Sequence, residues 1–192
     1  MVFVHVGRVL TTITRGAFVK PQPNAGIVAP HIYTARANPL FDIDQFGHMN
    51  NAAYASHFEY ARWEMGAASG LMTKLAKRGG AFIVASMALR FRKELRPMQP
   101  FEITSSVVAC DERQMWIKQL VREPGADSDA RPHAGSLCRA VLRKGRDTLS
   151  PIEIFKSVSK DVDHDQLAQL LASAATAERD ALASIERDLS QQ

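Results

Sequence analysis

Four segments read as strands follow one another over residues 81–144, joined by segments with no helical pattern. Residues 81–93 place Ile83, Ala85, Met87, Leu89 and Phe91 on one face and Ser86, Arg90 and Arg92 on the other. Residues 101–110, 115–122 and 136–144 read as further strands. Between them lie a break at Pro97 and Pro100, a short polar connection at 111–114 and a polar loop at 123–134. Strands joined so briefly are most simply antiparallel. Ahead of them stands one helical stripe, Tyr54, Phe58, Ala61, Met65, Ala68, Met72 and Leu75, ended by Gly79 and Gly80. A single helix of that length must bury its stripe on the sheet. The expected class is therefore α+β, a curved antiparallel sheet wrapped around a long central helix. Gly66 and Gly70 fall inside the helical pattern, each costing about 1 kcal/mol relative to alanine, and mark where a break or close packing would come.

The chemistry is concentrated where the chain enters that helix. Asp42, Asp44, Gly47, His48, Asn50 and Asn51 fall within one short stretch that runs straight into Ala52, Ala53 and Tyr54. Asn50 or Asn51 is a good N-cap. The first N–H groups of a helix have no partner inside it, and the aligned peptide dipoles make that end partly positive, so it can hold a developing oxyanion. On residue type alone Asp44 is a turn aspartate bonded to nearby backbone N–H groups. Gly47 suits a positive φ or a close approach of substrate.

The segment 42–62, DIDQFGHMNNAAYASHFEYAR, resembles the D-x-D-x-x-G-H-x-N-N-x-x-Y signature of hotdog-fold thioesterases of the 4-hydroxybenzoyl-CoA type. A second segment, RFRKELRPMQPFEITSSVVACD at 90–111, resembles the later half of the thioesterase superfamily member 6-like branch; together the likeness covers roughly residues 30–155. It implies hydrolysis of an acyl-CoA thioester to free acid and CoA, without metal or other cofactor. It carries the role of general base or nucleophile to Asp44 and that of oxyanion donor to the backbone N–H of Asn51. His48, four residues after Asp44, is expected to orient or support; the D-x-N-P-x-H pattern of dehydratase relatives is absent. Asn50, Tyr54, Phe58 and Met87 are the expected substrate contacts, the last three lining an acyl tail between helix and sheet. Arg90, Arg92 and Lys93, with Arg96, form the densest basic cluster and could take CoA phosphates, against the plainer reading of a solvated strand end. The alternative function is a non-catalytic hotdog protein that binds acyl-CoA, lipid or a protein partner.

Composition bears on partners and compartment. A net charge of +4 is spread along the chain with no long basic run and no basic–aromatic interleaving, which disfavours nucleic acid. Cys110 and Cys138 lack metal or redox spacing and read as buried free thiols. Residues 1–41 carry Arg8, Arg15, Lys20 and Arg36 but no acid, the composition of a mitochondrial transit peptide or of a loosely packed extension; location is mitochondrial or cytoplasmic on this reading. The apolar run at 1–6 is too short to span a bilayer. The expected organisation is a basic extension over 1–30, a hotdog domain over 31–155 and a helical extension over 156–192 with a stripe through Leu167, Leu170, Leu171 and Ile185. Asp161, Asp163, His164 and Asp165 fit a helix start better than a metal site. Glu59 and Arg62, three apart, could pair on the helix surface. An unpaired sheet edge predicts a homodimer or homotetramer.

Overall fold

A computed structural model describes residues 2–18, 29–158 and 176, 180, 183, 185, 187 and 188. The elements run α1 (Val2–Phe18), β1 (His31–Arg36), α2 (Asn51–Ala68), α3 (Leu71–Lys77), β2 (Ala81–Phe91), β3 (Pro100–Cys110), β4 (Gln114–Arg122), β5 (Ala134–Lys144), β6 (Asp147–Leu149) and α4 (Pro151–Val158). The strands form one antiparallel sheet in the order β1-β3-β4-β5-β2, with β6 folding back on the end of β5. This is the α+β arrangement expected from the patterning, with α2 against one face of the sheet.

The anticipated single helix is two. Ser69 caps the end of α2, and Gly70 at φ 76° begins α3, so the break falls at one of the two glycines that interrupt the pattern. Beyond the break, Leu71 and Leu75 still join Met65, Met115, Ile117, Leu142 and Phe155 in one core. A second core holds Tyr54, Phe58 and Ala61 against Phe101, Ile103 and Val121.

Two bulges correct the simple alternation. In β3 the register shifts between Val107 and Ala109, so Val107 and Cys110 face the helices while Ala109 turns to the other side. In β2 it shifts between Val84 and Ser86. Ile83 was expected on the buried face; instead Phe82 packs on the core and Ile83 and Val84 are 46% and 40% exposed. An extra residue in one strand reverses the facing of everything beyond it. Alternation across such a point therefore cannot be read continuously.

Part of the outer face of the sheet is also covered. Trp116, Leu120 and Leu137 bury Ile185, and Lys118 pairs with Asp188. The rest of the expected C-terminal stripe, with Asp161, Asp163, His164 and Asp165, lies outside the described residues. The helix α4 was not anticipated; Ile152, Ile154 and Phe155 seat it in the first core.

Candidate functional site

The chain reaches the start of α2 through a tight loop over residues 42–50. Asn50 N–H donates to the Asp42 carbonyl (2.8 Å), Asp44 N–H to the His48 carbonyl (3.0 Å) and Gly47 N–H to the Asp44 carbonyl (3.1 Å). Gly47 makes the turn at φ 79°, in the region where a side chain is strained. Asn50 is the N-cap, its Oδ1 accepting from Ala52 N–H at 2.7 Å. Asn51 is then the first helical residue, whose N–H has no acceptor within the helix. The structure thus brings Asp44, Gly47, His48, Asn50 and Asn51 into one loop and helix end.

The two aspartates of the motif differ in surroundings. Asp42 is 2% exposed; its Oδ1 accepts from Arg8 Nη1 (2.9 Å) and its Oδ2 from His57 Nε2 (3.0 Å) and Asn38 N–H (2.8 Å). Burial alone would raise its pKa, but these donors outweigh it and hold the carboxyl at about 2. The chain of contacts continues from His57 Nδ1 to the Tyr33 hydroxyl at 3.1 Å. Asp44 stands nearer the surface. Its Oδ1 accepts from Phe46 N–H (2.9 Å), while His48 Nδ1 lies 3.6 Å from Oδ2. His48 stacks on the exposed ring of Phe46.

The expected substrate contacts divide. Met87 lines a cavity of about 500 Å3 between α2, α3 and β2. Tyr54 and Phe58 do not line it; they are buried in the second core, Tyr54 against the Phe91 ring with its hydroxyl donating to the Lys93 carbonyl (3.4 Å). The basic cluster does not converge. Arg92 donates to the carbonyls of Pro132 (2.8 Å) and Arg131 (3.3 Å), Lys93 pairs with Glu123 and Arg96 with Glu94, and Arg90 donates to the Leu89 carbonyl. Nor do Glu59 and Arg62 form the expected surface pair: Arg62 turns inward to Gln119, and Glu59 accepts from Trp63 Nε1 at 3.3 Å. Cys110 and Cys138 are buried free thiols, burial pushing the Cys110 thiol up to about 11 and the Cys138 thiol also upward. Among the described residues no cluster of His, Cys, Asp and Glu has the geometry of a metal site, and no helix is long and apolar enough to cross a membrane.

Sequence reading missed the support that α1 provides. Ala53, His57, Tyr60 and Glu64 form a second buried stripe on α2, beside the apolar one. The helix α1 covers it: Arg8 reaches Asp42, Arg15 pairs with Glu64 (2.8 Å) and His5 meets the Tyr60 hydroxyl (3.1 Å). The spacing of four, three and four was visible, but two of its four residues are polar. What makes the stripe buriable is a separate helix that brings Arg15 to Glu64 and His5 to Tyr60.

Comparison with known proteins agrees with this architecture. Residues 39–164 match the family model described as the thioesterase-like superfamily. Protein THEM6 of Xenopus laevis is 29% identical over 101 residues, 53% of this chain and 44% of the relative. This chain spans about half the length of the curated relatives it matches. Among solved structures, a 1,4-dihydroxy-2-naphthoyl-CoA thioesterase from Synechocystis superposes with a TM-score of 0.59 at 11% identity, covering 71% of this chain and 99% of that one. A Staphylococcus aureus protein solved in complex with CoA gives 0.59 at 15% identity, with 78% and 90% covered. At such identities the likeness is one of fold, and the fold is the hotdog.

Proposed function

Since the chain belongs to the thioesterase-like superfamily, we propose that it hydrolyses an acyl-CoA thioester to free acid and CoA. The thioester carbonyl sits against the start of α2, where the Asn51 N–H stabilises the oxyanion. Asp44 activates water as general base or attacks the carbonyl carbon directly. His48 and the Phe46 N–H orient the Asp44 carboxylate, and Gly47 keeps the turn open to substrate. In the general-base route the attacking water gives its proton to Asp44 as its oxygen bonds to the carbonyl carbon. Collapse of the intermediate then breaks the carbon–sulfur bond, and the proton held by Asp44 passes to the departing sulfur, which releases CoA as the thiol and restores the carboxylate.

The observation that carries this reading is the contrast between the two aspartates. Asp42 is enclosed and committed to Arg8, His57 and Asn38, whereas Asp44 has one oxygen on Phe46 N–H and the other beside a part-exposed histidine. A carboxylate that must meet water and a thioester needs the second environment. The test is CoA release from short, long and aromatic acyl-CoAs by the native chain and Asp44→Asn, after both are shown to fold alike. Turnover is expected to fall about 100- to 10,000-fold in the variant. Equal turnover in the two proteins would remove Asp44 from the mechanism. No release by the native protein from any member of the panel would favour a binding protein instead.

A further inference from the structure

The cavity beside Met87 is walled by apolar groups, among them Trp63, Met65, Leu71, Met72 and Phe82, yet it contains a buried cation. Arg62 is only 8% exposed. Its Nη1 donates to Gln119 Oε1 at 2.7 Å and lies 3.7 Å from the Met87 sulfur. Gln119 is itself fixed, its Nε2 donating to the Phe58 carbonyl and to Ser105 Oγ, each at 3.0 Å. Among the described residues no carboxylate lies within ion-pair distance of Arg62, and its Nε and Nη2 have no acceptor. Burial draws its pKa down, outweighing the raising effects of Cys138 and Glu59. Glu59 is the one acid in the cavity wall, and it is 39% exposed, with Trp63 Nε1 and His5 as its neighbours.

A buried guanidinium with no carboxylate in direct contact is costly, and the cost is relieved by a ligand that brings the missing acceptor. The fork of Nε and Nη2 matches a carboxylate bidentately. The apolar walls match methylenes, and would strip water from a nucleotide phosphate without replacing it. Arg62 lies eleven residues after Asn51 on α2, about 16 Å along the axis, and helical side chains lean back toward the N-terminus. The distance from a thioester at the helix start to the guanidinium is therefore that of a medium-length chain. We propose that this cavity receives an acyl group with a carboxylate at the end remote from the thioester, and that Arg62 is the specificity-determining residue that binds it. The inference rests on the thioesterase reading for the thioester end, but not for the carboxylate end.

The experiment compares suberoyl-CoA with octanoyl-CoA, matched in length, as substrates of the native protein and of Arg62→Met. In parallel, binding of free suberate and octanoate is measured by calorimetry. Native kcat/KM is expected to favour suberoyl-CoA by about tenfold or more, and the ratio to collapse toward or below one in the variant; free suberate should bind with the same dependence on Arg62. If neither thioester is hydrolysed but suberate still binds in preference to octanoate through Arg62, the hydrolase reading fails and the ligand assignment stands. A native protein with no preference for the carboxylate-ended ligand in either arm overturns it, as does a preference that Arg62→Met leaves intact. Should that variant not fold, Arg62→Lys keeps the cation and removes the fork. A severalfold fall in the native ratio is then expected, and an unchanged ratio overturns the assignment to Arg62.

Discussion

Asp42 and Asp44 show how two identical side chains, two residues apart, acquire different roles. Both were legible as a motif, but their environments were not, because two of the three donors to Asp42 come from α1 and from the second turn of α2. The lowered pKa of Asp42 has a consequence for stability. Its folded value, about 2, lies below the ordinary 3.8, so the carboxylate contributes stability that is complete above about pH 4 and is lost as pH falls toward 2. The contribution is about 2 kcal/mol. Urea unfolding at pH 7, 4 and 3 should show the native protein weakening across that window. Asp42→Asn should be less stable at pH 7 by about 3 kcal/mol, since Arg8 and His57 lose the charge they face, and flatter below pH 4. An equal acid loss in the variant would place the effect elsewhere.

Helix α2 is buried on two stripes, and that explains what its pattern did and did not foretell. The apolar stripe matched the sheet, so the helix and its glycine break were readable. The mixed stripe of Ala53, His57, Tyr60 and Glu64 needs a partner that supplies polar and cationic groups, and α1 does so with His5 and Arg15 and with close backbone contact at Gly16. A Cβ built on Gly16 would stand 2.5 Å from the Glu64 carbonyl oxygen and 2.9 Å from the Ala67 Cβ, whereas one on Gly7 meets nothing within 4 Å. Gly16→Ala should therefore destabilise by about 1–3 kcal/mol through forced separation of the helices. Gly7→Ala should stabilise by up to about 1 kcal/mol through helix propensity alone. Thermal melts of the two variants decide the matter: similar shifts would mean that α1 does not pack at Gly16 as described.

Across the whole molecule, the sheet ends at β2, an eleven-residue edge with Ile83, Val84 and Phe91 exposed at 46%, 40% and 43% and a single charged residue, Arg90. Edges that stay single are usually short, charged or interrupted by proline. This one predicts pairing with a second copy, and light scattering should return at least twice the chain mass of 21.2 kDa; a monomer at tens of micromolar would refute it. The sequence by itself determined the class of fold and the placing of the loop before α2, because alternation, helical spacing, glycine breaks and the D-x-D motif are local properties of the chain. Tertiary structure alone decided the rest. Bulges in β2 and β3 reset which residues face inward, α1 enclosed Asp42, and Arg62 bonded to Gln119 rather than to Glu59. Each of these depends on a partner distant in sequence, and the spacing of residues along one segment carries no information about what another segment brings to meet it.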